Sequence, residues 1–389
     1  LMSIRKNTWD LNNKYDLTNS GWDGFVEADD YGDVPGELYA WGADSEGAIG
    51  QNSLTQRSSP VQIPGGSWSS IHNNYNATLA TKSDNTLWAW GYNVYGTLGH
   101  NNRVQRSSPT QVPGTQWKNM VNGGYLSSNA IKTDGTLWMW GRNTEGQLGL
   151  SDNNHRSSPT QVPGTQWEKV YQRGYSGYSC FASKTDATLW AWGDNSAGQL
   201  GQNNRTQYSS PVQITGTQWD CDLRKISVDA CAAALKTDGT LWMWGQDTDG
   251  QLGQETTGVD LSSPTQVPGT QWATVNVSET VTATKTDGTG WVWGDNEFGA
   301  LGQNNRTEYS SPRVLSGTQW KYIAAAHTNS YGTKTDGSLW VWGRNNAGQL
   351  GQNQAAAVVA GYSSPVQIPG TNWQTPFGEV YQFFSLAKS

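Results

Sequence analysis

Short apolar runs alternate along the chain with polar, glycine-rich turns, and the runs are the length of strands. Thr136-Leu137-Trp138-Met139-Trp140 has β-favouring or large residues on both alternating faces, the pattern of a strand whose sheet is covered on both sides. The Asp134-Gly135 pair before it is a type I′ hairpin signal, predicted to join this strand to the one containing Asn129-Ala130-Ile131. Asp238-Gly239, Asp287-Gly288 and Asp336-Gly337 repeat the signal, while Asp84-Asn85 and Asp186-Ala187 vary it. Runs around Gln111-Val112 and from Trp117 to Val121 supply two more strands, giving about four per unit as in propeller blades. No segment sustains a helical period.

The pattern recurs. A Trp-Gly pair falls at Trp41, Trp90, Trp140, Trp192, Trp244, Trp293 and Trp342, at intervals of 49, 50, 52, 52, 49 and 49 residues. Each is followed by Gly-x-Leu-Gly or a close variant, then by Ser-Ser-Pro beginning at Ser58, Ser107, Ser157, Ser209, Ser262, Ser310 and Ser363. A second Trp ends a Pro-Gly-Thr-Gln-Trp-like phrase at Trp68, Trp117, Trp167, Trp219, Trp272, Trp320 and Trp373. Seven such units, each apolar on both faces, are satisfied by a ring in which every sheet packs on two neighbours. The fold class is therefore all-β, a seven-bladed β-propeller over residues 37–389 preceded by an extension, 1–36. Lys-x-Asp occurs at Lys82, Lys132, Lys184, Lys236, Lys285 and Lys334, but the last copy stops at Lys388. The missing strand is Glu37 to Gly42, so the strands from the two ends are predicted to share one blade, leaving no free edge.

Trp-Gly-x-Asn-x-x-Gly-Gln-Leu-Gly, at Trp140 to Gly149, Trp192 to Gly201 and Trp342 to Gly351, resembles the repeat of the regulator of chromosome condensation family. The short Ser-Ser-Pro-Val-Gln-Ile-Pro-Gly form at Ser58 to Gly65 and Ser363 to Gly370 is similar in style to bacterial and marine phage members. The resemblance implies a seven-bladed propeller and two functions: guanine nucleotide exchange on a small GTPase, as in the nuclear member, or protein inhibition, as in a secreted member that blocks β-lactamases. No long insertion like the exchange factor's wedge is visible.

Composition narrows the chemistry. The chain has 389 residues, 22 Trp, 46 Gly and a net charge of −7, which argues against a nucleic-acid surface. No run approaches the ~20 apolar residues of a membrane helix, and no conventional secretory signal opens the sequence, so membrane insertion is not expected. Cys180, Cys221 and Cys231 are too few for a disulfide framework and suit a reducing compartment, with a Cys221–Cys231 pair left open. Gly141 and Gly146 stand at phosphate-loop spacing, yet Gln147 holds the place of the lysine, so these glycines read as turn residues. His72, His100, His155 and His327 lie in different repeats with no zinc spacing, and the acidic run at Asp247 lacks the rest of a calcium loop. No catalytic residue, cofactor or metal is expected.

Binding is then expected on loops. The residue before each Ser-Ser-Pro is Arg57, Arg106, Arg156, Tyr208, Leu261, Tyr309 or Tyr362, which in a closed ring form props across the neighbouring blade, the preferred reading, or a candidate partner-binding circle. The longest loop carries an apolar stretch with Val358 and Val359, a candidate contact or a local cap. Residues 1–36 hold three basic and seven acidic residues, net −4, unlike a basic chromatin-binding tail. Trp9, Tyr15, Trp22 and Phe25 give this extension something to bury, so it is a candidate anchor, docking on its own propeller or on another subunit. These features point to a non-catalytic interaction propeller, a structural or attachment component of a phage particle. Its expected partners are other virion proteins or a host surface protein or glycan, and its location the virion or otherwise the cytoplasm.

Overall fold

The computed structural model describes residues 38–384 except 43, 45, 75, 125, 173–177, 327, 347–349, 353–360, 371–376 and 380–381. Trp9, Tyr15, Trp22, Phe25, Val358, Val359, His327 and Trp373 lie outside the described residues. Those described form strands joined by turns, with no helix among them. Six four-stranded antiparallel sheets follow one another in chain order. Numbering blades by their Trp-Gly pair, blade 3 consists of Trp117–Gly124, Ser127–Lys132, Leu137–Gly141 and Arg156–Gln161. The first strands of successive blades approach one another, from Trp68–Asn74 round to Trp320–Ala326, so these strands line the axis and the Ser-Ser-Pro strands lie outermost.

A two-stranded hairpin lies at each end of the described chain. Tyr39–Gly42 pairs with Arg57–Gln62, and Phe377–Glu379 pairs with Gln382–Phe384. Phe377–Glu379 lies beside Trp320–Ala326, where an inner strand belongs. These are two separate two-stranded sheets, and no pairing between them occurs among the described residues.

Two local expectations change. The outer strand begins at Arg106, not near Gln111, and includes Ser-Ser-Pro. The register slips between Gly91↔Arg106 and Ala89↔Thr110, and this irregularity accommodates Pro109, which has no amide hydrogen to give a ladder. The Asp-Gly turn is not type I′. Gly135 N donates to Lys132 O at 2.9 Å and Lys132 N to Thr136 O at 2.9 Å, and only Gly135 has a positive φ, 78°. That is a three-residue loop, a type I turn closed by a left-handed residue. Asp134 selects it, because its Oδ1 accepts hydrogen bonds from both the Thr136 amide and hydroxyl, and these hold its carboxyl below the usual range. Asn85 and Ala187 take the same left-handed place at φ 61° and 60°.

From that turn a relay runs inward. Thr136 Oγ1 accepts from Trp138 Nε1 at 2.9 Å, and Lys132 Nζ sits 4.5 Å from the Trp138 ring and 4.9 Å from Trp117. The arrangement recurs at Lys82, Lys184, Lys236, Lys285 and Lys334, which explains the repeated lysine: each caps the two indoles of its blade by cation–π attraction.

Neighbouring blades are latched by the Trp-Gly tryptophan. Trp90, Trp140, Trp192, Trp244, Trp293 and Trp342 are fully buried. Each donates its indole N–H to the carbonyl after the first glycine of the preceding Gly-x-Leu-Gly: Ala48, Thr97, Gln147, Gln199, Gln251 and Ala300, at 2.6–2.9 Å. A backbone bond accompanies it, as from Asn101 N to Ser157 O at 2.6 Å. The first glycine is required by close approach, since a Cβ on Gly96 would lie 2.5 Å from Ser157 Cα. Gly141 and Gly146 have φ of 101° and 72°, so the phosphate-loop spacing is turn geometry.

Candidate interaction surface

Every third strand leaves its blade at the Trp-Gly pair, so the loops that follow gather on one face of the ring. The asparagine three residues after the Trp fixes the loop. Asn143 Oδ1 accepts from Leu148 N at 2.8 Å, while its Nδ2 donates to Asp152 O at 2.8 Å and Asn154 O at 3.2 Å. Asn93, Asn195 and Asn296 do the same. In blades 1 and 5 the position is aspartate. Asp44 and Asp247 keep the first bond, to Ile49 N and Leu252 N at 2.9 Å, but their Oδ2 atoms are buried without a hydrogen-bond partner among the described residues. A carboxylate cannot donate where the carboxamide does. Burial pushes the Asp44 pKa up to about 6 against the pull of the Ile49 amide and Arg57, and it raises Asp247 too, with Asp260 and Asp249 adding to the shift.

Above this frame the side chains vary. The residue before the first glycine of Gly-x-Leu-Gly in one blade meets the residue two before Ser-Ser-Pro in the next. Between blades 1 and 2, Glu46 accepts a hydrogen bond from Gln105, and between blades 3 and 4 Glu145 accepts one from Gln207 at 2.7 Å. Between blades 2 and 3 the pair is aromatic: Tyr95 meets His155 edge to face, centroids 5.1 Å apart. Between blades 5 and 6 it is Asp249 with Glu308, and the Glu308 carboxyl is pushed above its usual range by partial burial and by Asp249, Asp295 and Glu297.

A shallow pocket of about 460 Å³ opens between blades 2 and 3 among Pro113, Trp117, Lys132, Trp138 and Pro159. The lysine already lies over both indoles there. No group of three or more metal-ligating side chains occurs among the described residues, and no helix there is long and apolar enough to cross a membrane.

The regulator of chromosome condensation (RCC1) repeat matches residues 84–127, 134–182, 186–228, 238–282 and 336–379. The chain belongs to the regulator of chromosome condensation repeat family. A stretch of 70 residues is 33% identical to the Protein RCC2 homolog of Danio rerio, spanning 18% of this chain and 14% of that protein. Among solved structures, Prp20p from Saccharomyces cerevisiae superposes with a TM-score of 0.69 at 20% identity, over 90% of this chain and 91% of that one. Human WBSCR16 gives 0.68 at 20% identity, over 91% and 99%, and a chain from Kap60 bound to yeast RCC1 (Prp20) gives 0.71 at 17%, over 99% and 97%. At these identities the likeness is one of fold.

Within this RCC1-repeat propeller, the circle of residues before Ser-Ser-Pro lies beneath the loops. Arg57, Arg106, Arg156, Tyr208, Leu261, Tyr309 and Tyr362 are half-buried and pair in register with the glycine of their Trp-Gly. Several hold their own loop: Arg156 binds Asp152 and Asn154 O, while the hydroxyls of Tyr208 and Tyr309 accept from Asn204 and Asn305 at 3.0 and 3.1 Å. Cys180 and Cys231 are buried and Cys221 half-buried, and all three are free thiols.

The side chains that share the surface were missed in the sequence. Arg142, the residue after Gly141, lies with its guanidinium 5.8 Å from the Tyr95 ring and 4.8 Å from the Tyr178 ring. Burial, and the positive charges of Arg103 and Arg142, lower the His155 pKa. The arrangement recurs between blades 6 and 7, where Arg344, at the position of Arg142, lies 4.8 Å from the ring of Phe298, at the position of Tyr95; the repeats show these positions but not that they meet.

Proposed function

We propose that this chain is a non-catalytic protein-interaction propeller, a structural or attachment component of a phage particle, with residues 1–36 as its anchor. The observation that carries the reading is the contrast between an unvarying frame and a varied face: the same Trp latch recurs at six blade junctions, while the side chains above it change from amide pairs to aromatic to acidic. Surfaces that recognise partners are built from such freely varied loops on a rigid scaffold. The phage setting is supported by the repeat phrasing, and the anchor by the aromatic, acidic composition of residues 1–36. The circle of Arg57, Arg106, Arg156, Tyr208, Tyr309 and Tyr362, together with Val358 and Val359, completes the candidate contact set.

Mass spectrometry of purified particles tests the setting: the polypeptide is expected among the virion proteins, and its absence from them removes that reading. Replacing Arg57, Arg106 and Arg156 together by Ala is expected to weaken partner capture, and unchanged capture removes the circle from the contact set. Regulation of a small GTPase is the second reading, supported by family membership and by the fold of Prp20p, which is described with its binding to Gsp1p and histones. Accelerated nucleotide release from a GTPase by the purified chain would favour it.

A further inference from the structure

The loop of blade 1 keeps the length of its counterparts but changes the residue that fixes it. In blades 2, 3, 4 and 6 the asparagine Nδ2 donates to the carbonyls nine and eleven residues on, those of Asn102 and Val104 in the case of Asn93. The matching carbonyls for Asp44 are those of Ser53 and Thr55. The rest of the frame is retained: Gly50 N donates to Gly47 O at 3.0 Å, Asn52 N to Ser107 O at 2.6 Å and Ile49 N to Asp44 Oδ1 at 2.9 Å. Asp44 is 1% exposed, and its Oδ2 has no hydrogen-bond partner among the described residues. An ionised carboxylate has no proton to give the two loop carbonyls, whereas a carboxylic acid has one. In blade 5 the loop is one residue longer, and the Val259 amide turns towards Asp247.

A second unsatisfied group lies near Asp44. Arg57 Nε is buried without a hydrogen-bond partner among the described residues, and the Arg57 charge pulls on the Asp44 carboxyl. In blade 3 the equivalent Arg156 instead binds Asp152 and the Asn154 carbonyl. Among the described residues Arg57 is the charged group that acts on Asp44; Gly47 and Ile49 offer it amides, and Glu46 is bonded to Gln105.

We propose that Asp44 is a pH-operated latch on the loop at residues 51–57: as a neutral acid it ties the loop carbonyls, and once ionised it turns to Arg57 and lets the loop go. The proton passes to solvent, and no covalent bond changes. Burial keeps the folded carboxyl protonated up to about pH 6, while in an opened loop it ionises near the ordinary 3.8, so opening becomes easier as pH rises. From pH 5 to pH 7 the opening equilibrium grows about tenfold. Leu54 rides on this loop and at 60% is the most exposed large apolar side chain among the described residues, so the latch sets where an apolar contact is presented. The inference goes beyond the proposed function and holds whatever the partner is.

Hydrogen–deuterium exchange of the full chain, read by mass spectrometry from pH 5 to pH 8 and normalised to intrinsic rates, tests this. Opening of residues 51–57 is expected to rise about tenfold from pH 5 to pH 7, while residues 100–106 and 202–208, fixed by Asn93 and Asn195, stay level. Asp44→Asn installs the residue found at Asn93, Asn143, Asn195 and Asn296, so it should fold and abolish the rise. Arg57→Gln should move the midpoint of the rise to higher pH, because it removes the positive charge that favours ionisation. A level 51–57 segment, a rise shared by the asparagine-fixed loops, a rise that survives in Asp44→Asn, or a midpoint unmoved by Arg57→Gln overturns the proposal.

Discussion

Between blades 2 and 3 the Trp140 indole donates to Thr97 O at 2.7 Å, and between blades 5 and 6 the Trp293 indole donates to Gln251 O at 2.8 Å. Gly96 and Gly250 press on the next outer strand in the same way, each leaving no room for a Cβ beside Ser157 or Ser310. Above these matching frames one junction holds Tyr95 against His155 and the other holds Asp249 near Glu308. Close packing permits one solution below, because a methyl group misplaced in a buried contact is felt throughout. At the solvent-facing position a like-charge pair costs only a few tenths of a kcal/mol in water, so opposite chemistries rest on the same scaffold.

The first way to break the comparison is to remove the latch. Trp140→Ala and Trp293→Ala should each destabilise the protein by about 3–5 kcal/mol, read from urea unfolding. A difference above about 1 kcal/mol between them would show that the surface chemistry reaches the frame.

Exchanging the loop-fixing residue sharpens it next. Asn143→Asp should cost about 1–3 kcal/mol at pH 7, because two loop carbonyls lose their donor and a buried carboxylate takes its place. The reverse change, Asp44→Asn, should stabilise by about 1–2 kcal/mol at pH 7. Its sign follows from protonation. Folded Asp44 keeps its proton up to about pH 6, while the unfolded chain releases it near the ordinary 3.8, so stability falls as pH rises through that window. Thermal melting of the Asn variant should lose this component of the pH dependence, and an unchanged profile between pH 4 and 7 would refute the assignment.

The smallest effect is expected at the acidic surface. Glu308→Gln installs the residue type that Gln105 and Gln207 provide at other junctions, and should stabilise by about 0.5 kcal/mol at neutral pH and low salt. Because the folded carboxyl titrates above its ordinary value, the gain appears as pH rises through that raised value and shrinks with added salt. A gain that persists in molar salt would point to packing instead of charge.

Much of the frame is legible along the chain. The spacing of Trp-Gly places seven units, of which six are four-stranded sheets among the described residues. Identifying the hairpin type from Asp134-Gly135 fails for a specific reason: the dipeptide fits either turn, and the bond from Thr136 to the Asp134 carboxylate selects the longer one. The circle from Arg57 to Tyr362 is visible as a column in the repeats, but its half-burial follows from each residue pairing with a Trp-Gly glycine beneath a loop. Tyr95 and His155 stand 60 residues apart, and nothing in either neighbourhood announces the other.

By itself the sequence determined what every repeat shares: strand count and the burial of the Trp-Gly indoles, because a sheet apolar on both faces must be covered by its neighbours. Only the tertiary structure decided which loop of one blade meets which strand of the next. That choice depends on the twist and offset with which sheets pack, and it sets Tyr95 with Arg142 on one side of the face and Asp249 with Glu308 on the other.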